Sequence, residues 1–229
     1  MNKLKLYLHV WYRIFLDFVM LFTLPKRIAE TKNTNSPIKL KHWFFQKLLG
    51  RNRKVYWQVH PQSTIRGVRN IFVGIEVSPG YEKGCYIQAI NPVFIGDYTQ
   101  IANNVGIISA NHDFFDTRIH LPAKPVIIGS FCWIGMGAII LPEVELGDFT
   151  IVGAGAIVTK SFPEGHCVIA GNPAKIIKIL EKEKCVRYKN ENEYYGFYKK
   201  GSEFNNYIKR NINEETKKIV RFKNNLTNL

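Results

Sequence analysis

Between Asn111 and Pro125 the chain gathers two histidines, two aspartates and an arginine: His112, His120, Asp113, Asp116 and Arg118. Imidazole ionises close to neutral pH, so this stretch suits proton transfer. Ligation of a metal is the other chemistry that histidines offer. Zinc needs three or four ligands, and the other histidines lie far from this pair in sequence, so no metal is expected. Cys85, Cys132, Cys167 and Cys185 show no CxxC spacing. They read as reduced, buried thiols of a cytoplasmic protein.

The elements that hold this stretch announce themselves by rhythm. Ile128, Ile134, Ile140, Leu146, Val152 and Val158 recur at every sixth residue. Four residues after each comes Cys132, Ala138, Val144, Thr150, Ala156 or Phe162. Neither a helix nor an ordinary strand has a period of six. A three-sided coil does, with one short strand per side and one large residue pointing inward from each. An upstream series, Ile65, Ile71, Val77, Ala89, Ile95, Ile101 and Ile107, keeps the period. It would turn Lys83 inward, and a buried lysine is improbable, so a bulge is expected near Pro79–Gly84. The two series are out of phase. The step from Ile107 to Ile128 is three hexads and three positions more, so a loop must leave the coil over about Asn111–Pro125. That loop carries the histidines.

Charge is unevenly distributed. The formal net charge is +14, but residues 61–180 carry 8 Lys+Arg against 9 Asp+Glu. Residues 1–60 carry 12 against 2, and residues 181–229 carry 12 against 7. A neutral repeat body with basic flanks does not suit a nucleic-acid binder. It suits an anionic membrane surface or an acidic glycan. Leu4 to Leu24 reads as an apolar helix with His9, Arg13 and Asp17 on one polar stripe, ended by Pro25. The buried pair it would require makes a membrane span costly. It suits packing on the protein body, or peripheral contact with the inner face of a membrane. Residues 31–37 read as a linker, Lys41–Leu49 as a short aromatic helix, and Ala174–Leu180 as the start of another. The expected segments are therefore 1–58, apolar and basic; 59–180, the repeat domain; and 181–229, a helical or loop extension.

Ile95-Gly96-Asp97, Ser109-Ala110-Asn111-His112, Trp133-Ile134-Gly135, Gly153-Ala154-Gly155-Ala156 and Gly171-Asn172-Pro173-Ala174-Lys175 extend the reading. With these, Ile95–Lys178 resembles the hexapeptide-repeat acyltransferases, in the manner of the maltose, galactoside, nodulation-type and capsule-biosynthesis O-acetyltransferases. The resemblance implies an all-β core, a left-handed parallel β-helix with an extruded loop, flanked here by helical segments. It implies homotrimers with each site between neighbouring coils, acetyl-CoA as co-substrate and a sugar or glycan acceptor. His112, which closes the Ser-Ala-Asn-His motif, falls on the family's catalytic base. Its second ring nitrogen needs a partner: Asp113, Asp116, Glu143 or a backbone carbonyl. Trp133 matches the aromatic residue beside the pantetheine channel, and Gly135, Gly153 and Ala154 leave room for that arm. Thr159, Lys160 and Lys175 match the end where the family binds nucleotide phosphates. The family's acceptor-binding Asn falls here on Gly84, beside Cys85, so Cys85, Asn91, Asn111 and His120 are the candidate acceptor contacts. The N–H of Gly135 or a neighbour is the candidate oxyanion donor.

These features lead to an O-acetyltransferase acting on a sugar hydroxyl of a cell-surface polysaccharide or lipid-linked precursor. An N-acetyltransferase on an amino sugar or nucleotide sugar is the alternative acceptor reading. A three-histidine zinc enzyme and a non-enzymatic β-helix scaffold are the readings from other classes.

Overall fold

The computed structural model describes residues 20–227, so the apolar stretch expected over 4–24 lies outside it except at residues 20–24. Three sheets form the three sides of a coil. The first face stacks β1 (Thr64–Arg66), β3 (Tyr86–Gln88), β6 (Gly106–Ile108), β9 (Ile139–Ile140) and β12 (Ile157–Val158). The second stacks β2 (Ile71–Val73), β4 (Val93–Ile95), β7 (Val126–Ile128) and β10 (Glu145–Leu146). The third stacks β5 (Gln100–Ile101), β8 (Trp133–Ile134), β11 (Thr150–Val152) and β13 (Cys167–Ala170). All these pairings are parallel.

The six-residue rhythm is the register of this coil. Ile128 pairs with Leu146, Ile134 with Val152 and Ile140 with Val158, each three hexads further on, and all six are buried. Each side chain points to the axis and meets the residue one rung above and below. Full burial of an aliphatic side chain is worth about 1.5–3 kcal/mol, so the column is the main source of stability. Upstream, Ile65 faces Ile87 and Ile71 faces Val93, four positions beyond three hexads. The four extra residues lie in the Ser78–Gly84 turn, where the expected bulge falls; Lys83 is exposed there and Ile87 takes the inward position. The downstream loop is larger than the phase slip suggests. A regular turn would set Ile107 against position 125, but it faces Ile140, and Ile95 faces Ile128. The insertion is therefore two and a half hexads, fifteen residues, the length expected over Asn111–Pro125, although the phase slip by itself accounts for only three of them. A phase slip measures an insertion only modulo six.

The edge between the second and third faces is built from Tyr98, Phe131, Phe149 and His166, all at positive φ. The Tyr98, Phe131 and Phe149 rings stack at 5.1–5.2 Å, rung on rung, and His166 continues the column as a tilted ring at 5.1 Å. Arg187 lies over the Phe131 and Phe149 rings and pairs with Asp148. Such stacking offsets the cost of the left-handed backbone.

The ends differ from expectation in two places. Lys175–Ile179 is a strand, β14, antiparallel to β13, and not a helix. Its β-branched isoleucines fit the open edge of the last rung. Pro25 does not end the N-terminal helix, α1, which runs over residues 20–31. The lost amide is outweighed by the burial of Met20 and Leu24 against Trp43, Tyr194 and Phe197. The Arg27 guanidinium also donates to the Phe197 carbonyl and pairs with Glu203. Residues 32–36, expected as linker, form turns pinned by Asn35 N–H to Glu76.

The aromatic helix expected over Lys41–Leu49 is α2 (Leu40–Trp43), widening into a π-turn at Phe44–Leu48. It closes the first rung. The Gln46 amide donates to the Val55 and Trp57 carbonyls and accepts from Val59 N–H. On the same end of the coil, the hairpin β15 (Tyr194–Tyr195) and β16 (Tyr198–Lys199) packs with Phe197 N–H donating to the Tyr56 carbonyl, and it precedes α3 (Ser202–Asn211) and α4 (Glu214–Thr227). Phe204 stacks on Tyr195, and both adjoin Phe72 on the second face. The second face is thus covered, whereas Tyr86 and Trp133 stand exposed on the first and third.

Candidate active site

The inserted loop leaves β6 and returns at β7, so it springs from the edge between the first and second faces. Its root is tied to the rung above. Gln88 Oε1 accepts the N–H groups of Ser109 and Ala110, both at 3.2 Å. The Asn91 amide donates to the Ser109 carbonyl at 2.8 Å, and Ser109 Oγ accepts Asn91 N–H. Asn91 therefore holds the loop root. Gln88 is a functional candidate that the sequence hid, because a polar residue outward on a strand carries no signal of its own.

The loop itself is a short antiparallel hairpin. Asp113 N–H donates to the Ile119 carbonyl, Leu121 N–H donates to the Asn111 carbonyl, and His112 and His120 form the bridge between them. The two imidazoles lie 4.2 Å apart, centroid to centroid, and both are exposed. The expected orienting carboxylates are occupied elsewhere. Asp113 accepts Phe115 and Asp116 N–H, and Asp116 chelates Arg118; both carboxyls are held below the usual range by those donors. Glu143 accepts Lys124 N–H. Among the described residues, none of them hydrogen-bonds to the His112 ring; its neighbour is His120.

Two other candidates are corrected. Cys85 is buried inside the coil, where its thiol donates to the Ala102 carbonyl and burial raises its pKa, so it contacts no acceptor. Gly135 N–H is spent on the Val152 carbonyl at 2.8 Å and is not free to bind an oxyanion. The parallel ladder claims that donor on every rung.

Trp133 lies outward on the third face, 54% exposed, between Gln100 and Ile151 of adjacent rungs. Gly135, Gly153 and Ala154 follow β8 and β11 on the edge between the third and first faces. A Cβ on Gly135 would lie 2.6 Å from the Val152 carbonyl oxygen and 2.7 Å from Ala154 N, so glycine there lets adjacent rungs pack closely. Beside Trp133 a cavity of about 270 Å³ is lined by Tyr81, Glu82, Gln100 and Asn103 among others. Tyr81 and Glu82 come from the four-residue insertion. Thr159 and Lys160 are exposed at the loop's own edge, and Lys175 is exposed on β14.

The edge that carries the loop lies opposite the third face in a three-sided coil. The structure therefore places His112 and Trp133 on opposite sides of one chain. Among the described residues no group of three or more His, Cys, Asp or Glu is arranged to hold a metal. No helix among them is long and apolar enough to cross a membrane.

Comparison with known proteins agrees with the coil. Residues 125–160 match the bacterial transferase hexapeptide (six repeats). Nodulation protein L of Rhizobium meliloti (strain 1021) is 37% identical over 110 residues, which are 45% of this chain and 56% of the relative. A Dictyostelium discoideum protein, provisionally named an acetyltransferase, is 46% identical over 78 residues, 33% of this chain and 40% of its own. The chain thus spans about half the length of the curated relatives it matches. A solved galactoside acetyltransferase in complex with coenzyme A superposes with a TM-score of 0.51 at 24% identity, over 79% of this chain and 90% of that one. Residues 125–160 thus carry hexapeptide repeats, and the coil they belong to is a left-handed parallel β-helix that shares the fold of galactoside acetyltransferase.

Proposed function

We propose that the chain transfers acetyl from acetyl-CoA to a sugar hydroxyl, with His112 as general base. One observation carries this reading: an exposed imidazole held on the inserted loop of an otherwise rigid coil, its root fixed by Gln88 and Asn91. An alcohol is a weak nucleophile at neutral pH. His112 takes the hydroxyl proton as the oxygen bonds to the thioester carbonyl carbon. The C–S bond then breaks, and the imidazolium returns its proton to the departing CoA thiolate. His120 packs on the His112 ring and limits its orientation.

The edge of Gly135, Gly153 and Ala154 beside Trp133 carries only small side chains and suits a linear pantetheine arm; Lys175 on β14 offers a cation for its phosphates, and Lys160, on the loop's edge, offers one from the copy that supplies His112. His112 and Trp133 face away from each other in one chain, so a complete site takes the loop of one copy and the third face of another. The bare first and third faces suit that assembly, and a homotrimer closes it. Tyr81 and Glu82, which line the cavity beside Trp133, are the candidates for acceptor choice. The test is a screen of hydroxyl and amino sugars for CoA release that depends on His112. Release with amino sugars alone would replace the hydroxyl reading, and release that survives His112→Ala would remove the base.

A further inference from the structure

Among the described residues, the α2 helix and its π-turn bury one side and leave the other bare. His42, Trp43, Gln46 and Lys47 face the coil. Leu40, Phe44, Leu48 and Leu49 face out, between 41 and 64% exposed. The π-turn explains how two consecutive leucines share that surface: Leu49 N–H donates to the Phe44 carbonyl, so the widened turn brings Leu49 beneath Phe44 while Leu48 stays outside. Around this apolar patch the exposed side chains are cationic: Lys39, Lys41, Arg51 and Lys54. No acidic residue occurs between Glu30 and Glu76.

We infer that this cap, at the N-terminal end of the coil, is a docking surface for an anionic lipid bilayer. A patch of this composition needs a cover that is apolar and negative together. A second copy placed face to face would bury the leucines but oppose the same four cations to themselves. A bilayer interface with anionic headgroups satisfies both halves: acyl chains receive Leu40, Phe44, Leu48 and Leu49, and phosphates receive the cations. The cap closes the first rung, and the His112 loop leaves the third. Two rung spacings of about 4.8 Å put the loop root about 10 Å below the cap. If three chains assemble side by side around the coil axis, all three caps share one plane, and their weak contacts reinforce each other. The height of the loop then suits a lipid-linked acceptor. That last step rests on the acetyl-transfer reading; the docking does not.

The test is co-sedimentation of the full chain with vesicles of phosphatidylcholine alone or mixed with phosphatidylglycerol, at low and at high salt. Two exposed pairs are altered separately, Leu48→Gln with Leu49→Gln, and Lys41→Gln with Lys54→Gln, with residues 1–24 intact in both. Binding is expected on the anionic vesicles only and is expected to weaken at high salt. Each lysine removed should lower partition about fivefold, and the leucine pair should lower it at least about tenfold. Thermal melting of the lysine variant should match the wild type. Equal binding to neutral vesicles, wild-type binding by both variants, or a fall in solution mass in place of lost binding would overturn the inference. Loss of CoA release with vesicle binding intact would strike the acetyl-transfer reading alone.

Discussion

Gly129 shows how little slack the coil has. It sits where the second face turns into the third, and a Cβ there would lie 2.5 Å from Asp148 N and 2.6 Å from Asp148 Oδ1. Ordinary contact begins near 3.4 Å, so Gly129→Ala must spread adjacent rungs by about 0.9 Å. Three hydrogen bonds cross that gap: Gly129 N–H to Leu146, Ser130 N–H to Asp148 Oδ1, and Phe149 N–H to Ser130, at 2.8–2.9 Å. Overpacking costs about 1–3 kcal/mol, and each weakened bond adds a fraction of about 1 kcal/mol. A loss of roughly 3–4 kcal/mol lowers Tm by about 10 °C in a chain of this size. Gly155→Ala is the control. Gly155 has φ +67° and nothing within 4 Å of its Cβ, so only backbone strain of about 1 kcal/mol, near ~3 °C, is expected. Thermal melts of both variants measure the difference. If Gly129→Ala melts within about 3 °C of wild type, or Gly155→Ala proves the more damaging, rung-to-rung contact is not what limits the coil.

Three further outcomes follow from named contacts. Gln88→Met frees the loop root from the Gln88 carboxamide, so kcat for CoA release should fall about tenfold with KM for acetyl-CoA unchanged; a change in KM alone would place Gln88 elsewhere in the reaction. Trp133→Ala removes an exposed aromatic wall, so KM for acetyl-CoA should rise about tenfold while kcat stays within about threefold; an unchanged KM would remove Trp133 from the cofactor groove. Burial, with Lys39, His60 and Lys41 nearby, depresses the His42 pKa to about 4. A depressed folded value means stability that is complete above pH 6.5 and is lost as pH falls from 6.5 towards 4. The loss is roughly 3 kcal/mol for this buried ring, and His42→Phe should flatten a plot of Tm against pH across that window.

The coil was legible because its inward column repeats a single physical demand, a large aliphatic on every side of every rung. Ile128 through Val158 meets it without interruption, and the pairing follows the sequence residue for residue. Insertions were legible only in phase. Period counting located the histidine loop but saw only its odd half hexad, since whole hexads leave no trace. Local rules failed at the ends, where tertiary contacts decide. Pro25 stays inside a helix because Leu24 is buried and Arg27 is tied to the C-terminal hairpin. Lys175–Ile179 becomes a strand because β13 offers an unpaired edge. In the site, residue type picked out His112 and Trp133 but could not show hydrogen bonds already committed: Asp113, Asp116 and Glu143 each serve the loop's own backbone or Arg118.

The most direct measurement is CoA release by wild type and His112→Ala, with acetyl-CoA and an accepted sugar, under single-turnover conditions. A general base contributes about 10²–10⁴-fold, so the variant should lose at least about 10² in rate while binding acetyl-CoA as tightly as wild type. Equal rates, or a loss explained wholly by weaker acetyl-CoA binding, would contradict His112 as the base.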